Sequence, residues 1–227
     1  SPYILPKARS GQRLGHGQII DHMFIDGLED AYEKGTLMGV FAERTAKAYG
    51  FSRKIQDEFA IQSLNRAKKA IDEGCFDNEI TPVNYKSRLG DISVFKDEQP
   101  LKADIKKITS LKPAFEKNGT VTAANSSSIS DGAAALVMMR ESNAKTLKLN
   151  PLARLVGHSS FAHSPEWFTT APISAIRNLI KKIGWSTDEV DLYEINEAFA
   201  VVTMAAIKDL NLSNEKVNIH GGACALG

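Results

Sequence analysis

Residues 190–200 read Val190-Asp191-Leu192-Tyr193-Glu194-Ile195-Asn196-Glu197-Ala198-Phe199-Ala200, and this stretch decides the fold class. Its first six residues favour a strand, and the residues from 198 to 209 favour a helix. A strand that runs directly into a helix is the repeating unit of a layered α/β domain. The junction falls at the carboxyl end of the strand, where open α/β folds bind their ligands.

A second unusual stretch, His220-Gly221-Gly222-Ala223-Cys224-Ala225-Leu226-Gly227, follows further along the chain. Its small side chains and its three glycines let the backbone come close to a neighbouring group, because glycine has no Cβ. Strand-like residues precede both stretches. Together they indicate the rim of a binding or catalytic site.

Composition places the chain among globular proteins, with 43% hydrophobic and 24% charged residues in a length of 227. The formal net charge of +1 does not indicate a nucleic-acid or membrane-surface partner. No apolar run approaches the roughly 18 residues of a membrane span. The two cysteines, Cys75 and Cys224, lie far apart in different contexts, which favours free thiols and a reducing compartment. We therefore expect a cytoplasmic protein.

Periodicity and capping signals predict alternating helices and strands along the chain. Gly50, Gly74 and Gly184 mark helix ends, Ser52 is a candidate N-cap, and Pro172 suits the first turn of a helix. The predicted helices cover 19–32, 38–49, 52–74, 141–147, 172–184 and 198–209. The predicted strands cover 80–85, 92–95, 133–139, 152–157, 190–195 and 217–219. We expect an α+β region up to residue 110, followed by an α/β layered domain.

Two interpretations of Asn196 follow from its position. Its side chain can cap the helix that follows, which is a common use of Asn. Alternatively, its amide can hold a water or an oxyanion, since it offers both a donor and an acceptor beside the positive end of a helix.

The other polar candidates also have structural alternatives. The serine triplet 126–128 has two interpretations. It is either a turn whose side chains bond to its own backbone, or a site where one serine hydroxyl binds a polar ligand. Cys224 is more simply a small buried thiol than a nucleophile, because no base can be assigned beside it. The histidines lack the spacing of a metal site, so no metal is expected.

Seven segments together closely resemble the thiolases of the acetyl-CoA acetyltransferase type. They occur in order along essentially the whole chain and with the spacing of that family. They are Met38-Gly39, 56–60, 111–115, 119–125, 130–135, 194–200 and 218–227.

The resemblance implies a layered αβαβα fold, incomplete here, with an α+β loop domain. It assigns residues 1–118 to the loop domain, with a tetramerisation-type arm at 1–20. Residues 119–150 become the return segment of the N-terminal half, and residues 151–227 become the first part of the C-terminal half. The implied reaction condenses two acetyl-CoA molecules to acetoacetyl-CoA or cleaves 3-ketoacyl-CoA with CoA. CoA is then a substrate, no further cofactor is expected, and the parent enzyme is a homotetramer or dimer of fatty acid metabolism.

The resemblance also gives roles to single residues. Asn196 resembles the residue that fixes an oxyanion-hole water, and Ser127 matches a serine that bonds the pantetheine arm of CoA. Lys107 matches a basic residue near the nucleotide end. The residues that match the lining of the pantetheine and acyl tunnel are Met38, Phe115, Ala123, Phe168, Ala198 and Phe199.

The resemblance places all three reactive residues of the family outside these 227 residues. The nucleophilic cysteine of the family lies before Ser1, and its catalytic histidine and second cysteine lie after Gly227. We therefore expect the chain alone to be inactive. The alternative is a CoA-binding or protein-interaction module without catalytic activity.

Overall fold

Two consecutive helices, α1 (Met38–Tyr49) and α2 (Arg53–Asp72), form the longest regular part of the chain. Gly50 ends α1 in the left-handed conformation at φ 71°, which glycine adopts without a steric penalty. The Ser52 hydroxyl then caps α2 by accepting from the Ile55 N–H at 3.4 Å. Both helices and their end signals confirm the sequence prediction.

The computed structural model describes residues 1–88 and 90–227. Four strands form two small antiparallel sheets, in which β1 pairs with β2 and β3 pairs with β4. The strands are β1 (Tyr3–Ile4), β2 (Ile20–Asp21), β3 (Val83–Ser87) and β4 (Gly90–Val94). The remaining α-helices are α3 (Glu98–Lys102), α4 (Ile105–Ile108), α5 (Glu141–Thr146), α6 (Ala171–Ile183), α7 (Ala200–Leu210) and α8 (Ala223–Leu226). Short turns of other helix types occupy Phe24–Leu28 (π) and Pro165–Thr170 and Asn214–Lys216 (3₁₀).

The core that positions the Asn196 turn lies between α6 and α7. Tyr193 and Val217 form a parallel bridge beneath these helices, and both side chains are buried. The cluster contains Ile173, Tyr193, Ile195, Ala205, Ala206, Leu210 and Val217. Burial of such a cluster is worth on the order of 25 cal/mol per Å² of apolar surface, so it fixes the extended segment that leads into Asn196.

Several predicted strands are wrong. Residues 133–139 and 152–157 form no strand, and Leu136 and Val137 are 88% and 91% exposed. Residues 190–195 and 217–219 retain only the single bridge between Tyr193 and Val217. The apolar runs are present, but within the described residues no neighbouring strand pairs with 133–139 or 152–157. A strand is a paired structure, and hydrophobicity alone does not supply its partner.

The predicted helix at 19–32 is confirmed only at residues 22–28, of which Phe24–Leu28 form a π-helix. Its first residues belong to β2 instead. The Asp21 carboxylate accepts from the Met23 N–H at 2.9 Å, so a side chain competes locally with helical bonding. Gly27 lowers the helix propensity of the same segment.

The domain boundaries at residues 118 and 150 stay a prediction. In the part of the chain that the structure describes, no helix is long and apolar enough to cross a membrane.

Candidate functional site

A cavity of about 350 Å³ lies beside the turn that carries Asn196. Three of the predicted site residues line it: Phe168, Asn196 and Ala198. The rest of the lining is Pro172, Ala175, Ile176, Glu194, Ile195 and Val202, which the sequence prediction missed. These positions carry no distinctive motif, because an apolar wall residue resembles any other core residue. The cavity combines apolar walls with a few polar groups, as small-molecule sites do.

Asn196 does not cap helix α7. The N-cap residue is Phe199, with extended backbone at φ −142° and ψ 152°, and no side chain bonds to the free amides there. The Asn196 side chain is exposed, and within the described residues its amide makes no hydrogen bond. The capping interpretation is therefore wrong, and the amide is available to a water or ligand in the cavity.

The predicted tunnel residues converge on one apolar cluster. The Phe199 ring meets the Phe115 ring edge to face, with centroids 6.0 Å apart. Phe199 is buried in a cluster with Ala42, Ala46, Val121, Val201 and Val202, and Met38, Phe115, Phe168 and Ala198 pack against it. Five predicted residues from four separate parts of the sequence thus belong to this cluster or pack against it.

The serine segment is joined to the same turn by backbone hydrogen bonds. Ser127 N–H donates to the Ala198 carbonyl at 3.0 Å, and Ala200 N–H donates to the Asn125 carbonyl at 2.8 Å. The Ser126 hydroxyl donates to the Thr122 carbonyl at 2.7 Å, which is the turn interpretation of the serine triplet.

The Ser127 hydroxyl differs from that of Ser126. Its hydrogen-bond acceptor is the Ser128 carbonyl at 3.5 Å, which is the outer limit for a hydrogen bond. Ser127 therefore keeps a hydroxyl that is free to turn toward a ligand.

Six of the nine predicted site residues do not line the cavity. Met38, Phe115 and Phe199 lie in the apolar cluster and Ser127 bonds to the turn, whereas Ala123 and Lys107 do neither. Ala123 is exposed in the loop before the serine segment. Lys107 is exposed on the short helix α4, and its Nζ lies 3.9 Å from Asp104 Oδ2. The buried Ile108 of α4 and Ala225 of the C-terminal run belong to one apolar cluster. Lys107 is thus near the run but apart from the cavity.

A buried carboxylate joins the two stretches that the sequence singled out. Glu197 is 1% exposed, and its Oε2 accepts from the Cys224 N–H at 3.0 Å. No role for Glu197 was predicted from the sequence. The 194–200 turn and the 220–227 run, which we expected to form the rim of one site, therefore contact each other directly.

Two groups at this rim have raised pKa values. Burial raises the pKa of the Cys224 thiol well above its ordinary value, and the neighbouring Glu197 carboxylate raises it further. Although part of Glu194 is exposed, partial burial at the cavity raises the pKa of its carboxyl. His220 opposes that rise and Glu197 adds to it. The Cys224 environment disfavours a thiolate, which is the reactive form of cysteine.

Known proteins resemble this chain over its whole length. Residues 1–142 match the family described as thiolase, N-terminal domain, and residues 149–227 match thiolase, C-terminal domain. Acetyl-CoA acetyltransferase IA of Candida tropicalis is 46% identical over 230 residues, and acetyl-CoA acetyltransferase of Thiocystis violacea is 46% identical over 229.

The structural comparison agrees with the sequence comparison. The crystal structure of the Bacillus anthracis acetyl-CoA acetyltransferase superposes with a TM-score of 0.95 at 44% identity. That alignment covers 100% of this chain and 57% of the other. The two relatives above are covered to 57% and 58% of their length, so the chain spans little more than half of the proteins it resembles.

Proposed function

Because this chain belongs to the thiolase family, we propose that the protein containing it transfers acyl groups to and from coenzyme A. The reaction is the condensation of two acetyl-CoA molecules or the cleavage of 3-ketoacyl-CoA by CoA. The family and the thiolase fold expected from the sequence motifs are both confirmed. The relatives named acetyl-CoA acetyltransferase support the short acyl group.

One observation carries the proposal. The unbonded Asn196 amide lines a cavity of about 350 Å³ together with the Phe168 and Ala198 side chains. Acyl transfer at a thioester develops negative charge on the carbonyl oxygen, and preorganised donors stabilise that charge in the transition state. We assign Asn196 the role of holding a water that serves as one such donor.

The residues around the cavity fit the long pantetheine arm of CoA. In this proposal the apolar parts of the arm pack against Phe168, Ala198 and the cluster around Phe199. An amide of the arm forms a hydrogen bond with the Ser127 hydroxyl. Lys107 offers a cation to the phosphates at the outer end. In this role CoA is the substrate, and the chemistry requires no further cofactor.

The 227 residues alone do not complete this reaction in our proposal. The Cys224 Sγ contacts the Glu197 carbonyl at 3.8 Å beside a carboxylate, a setting that works against a nucleophile. Cys75 lies in an exposed turn after α2 and does not line the Asn196 cavity. The nucleophile then comes from sequence beyond this chain.

The proposal extends to assembly and location. The arm at residues 1–20 exposes Tyr3, Leu14 and Ile19, a surface suited to contact between subunits of a homotetramer. Free cysteines fit a cytoplasmic enzyme of fatty acid metabolism.

The second candidate is a CoA-binding or protein-interaction module without activity. Exposed apolar side chains at Leu136, Val137 and Leu152 favour it, because such surfaces mark association sites. This candidate predicts no turnover, either by the isolated 227 residues or by the protein that contains them, whereas the first candidate predicts turnover by that protein.

The deciding experiment measures thiolysis of acetoacetyl-CoA by CoA. The protein containing this chain should consume acetoacetyl-CoA and form acetyl-CoA, and the isolated 227 residues should not. Absence of turnover in both samples, with CoA still bound, would support the module. Turnover by the isolated chain would overturn the assignment of the nucleophile.

A further inference from the structure

Glu197 stands apart from the exposed carboxylates because hydrogen-bond donors surround it. Its Oε2 accepts from the Ser63 hydroxyl at 2.7 Å and from the Cys224 N–H at 3.0 Å. Its Oε1 accepts from the Asn218 Nδ2 at 2.8 Å. Glu197, Ser63 and Asn218 are 1%, 3% and 2% exposed, so these bonds are shielded from water.

The direction of each bond requires a carboxylate at this position. The Gly222 N–H donates to the Ser63 Oγ at 2.9 Å, which leaves the serine proton to point at Glu197. An ionised carboxylate accepts at both oxygens, whereas a glutamine of the same shape accepts at only one and donates at the other. Glutamine would therefore set an N–H₂ group against a donor in either orientation.

The same network holds the residue before Asn196. The Asn218 Oδ1 accepts from the Ile195 N–H at 2.8 Å, and its Nδ2 donates to the Ile195 carbonyl at 2.8 Å. Asn196 thus lies between two residues that are fixed by side chains, Ile195 by Asn218 and Glu197 by three donors. Its own amide makes no bond within the described residues, so its direction depends on these neighbours.

The glycines of the C-terminal run are explained by the same contact. A Cβ on Gly222 would lie 2.4 Å from the Glu197 carboxyl carbon, and a Cβ on Gly221 would lie 2.6 Å from the Ser63 carbonyl oxygen. Only glycine lets the run approach the carboxylate and helix α2 this closely.

We propose that Glu197 is a positioning residue that holds the Asn196 turn against the Gly221–Leu226 run and helix α2. It acts through Asn196 and does not touch the substrate. This inference rests on the proposed thiolase function. It adds that the orientation of the Asn196 amide depends on the buried Glu197 carboxylate as well as on the sequence of the turn.

The test is Glu197→Gln in the protein that contains this chain. We expect kcat for acetoacetyl-CoA thiolysis to fall by about tenfold to a hundredfold, the effect of displacing a reacting geometry by roughly 1 Å, with KM little changed. Amide hydrogen exchange should quicken at Gly222 and Cys224 but not in helix α6. The matched control is Glu189→Gln, because Glu189 accepts from the Ser186 N–H and hydroxyl at an exposed site and does not line the cavity.

A folded Glu197→Gln protein with wild-type kcat and wild-type exchange at both amides would overturn the inference. If that variant does not fold, Ser63→Ala removes a single donor and leaves the carboxylate in place. Ser63→Ala should also lower kcat and quicken amide exchange at Gly222. Wild-type kcat together with wild-type exchange in this variant would overturn the inference. A wild-type protein without thiolase activity would refute the proposed function, while the exchange measurement would still test the positioning role.

Discussion

Gly39 faces the ring of Phe115 so closely that a Cβ at Gly39 would lie 2.2 Å from the ring carbon Cε2. Phe115 in turn packs edge to face on Phe199, at the start of helix α7. The Phe115 ring thus lies against both Gly39 of helix α1 and Phe199 at the end of the Asn196 turn. This contact explains physically why glycine follows Met38 in the first motif of the chain.

Gly39→Ala should destabilise the protein by about 1–3 kcal/mol, because the Phe115 ring must leave its position against Phe199. Urea unfolding of the variant and the wild type measures the change. Gly132→Ala is the matched control, since no atom lies within 4 Å of a Cβ built there. Equal stability of Gly39→Ala and wild type would show that the ring moves without cost.

Asn196→Ala should lower kcat for thiolysis by roughly tenfold to a thousandfold. Removing one direct oxyanion-hole donor costs about a hundredfold to a thousandfold, and Asn196 acts through a water. Stability should change little, because Asn196 neither caps α7 nor makes a hydrogen bond within the described residues. Steady-state kinetics and thermal unfolding together separate the two effects. Asn150→Ala, at an exposed position outside the cavity, serves as the control. A fall in stability with kcat retained would restore a structural role for Asn196.

The two cysteines should differ in reactivity toward N-ethylmaleimide. Cys75 is exposed, whereas burial and the Glu197 carboxylate raise the pKa of the Cys224 thiol and keep it protonated. At mildly alkaline pH, Cys75 should be labelled first and Cys224 only slowly, as peptide mass spectrometry can follow. Labelling of Cys224 as fast as Cys75 would contradict the desolvated setting described above.

The stability of Glu194→Gln should depend on pH with a definite sign. The folded protein raises the pKa of Glu194 above its ordinary value of 4.5, so ionisation of this group opposes folding. The variant should gain stability relative to wild type as the pH rises through and above 4.5, and the difference should vanish in acid. Denaturant unfolding across this pH range measures it.

Glu141→Gln provides a comparison of opposite sign. The hydrogen bond and charge of Lys145 lower the pKa of the Glu141 carboxyl, so its stabilising effect is present above the ordinary value and is lost as the pH falls. That variant should be less stable than wild type at neutral pH and equal to it in acid. The same pH trend in both variants would indicate a general charge effect instead of the local environments.

Local signals in the sequence predicted helix ends well. Gly50, Gly184 and Ser52 act where they were expected, because capping depends on neighbouring residues only. The run at 133–139 failed for the opposite reason, since a strand requires a partner that may lie anywhere in the sequence.

The candidate site divides in the same way. The position of Asn196 after a predicted strand indicated that residue, the family resemblance gave Ala198 and Phe168, and all three line one cavity. The wall residues Ile176 and Val202 were missed because they lack a distinguishing pattern. The donors around Glu197 come from helix α2 and from the segment 218–227, and no spacing within one segment reveals them.

The most direct test is a crystal structure of the protein that contains this chain with CoA bound. The pantetheine arm should occupy the cavity beside Asn196, in contact with Phe168 and Ala198, with the Ser127 hydroxyl within hydrogen-bond distance of the arm. A larger cavity of about 480 Å³, lined in part by Phe76 and Phe95, offers CoA a different place. Electron density for CoA there, with the Asn196 cavity empty, would contradict the account.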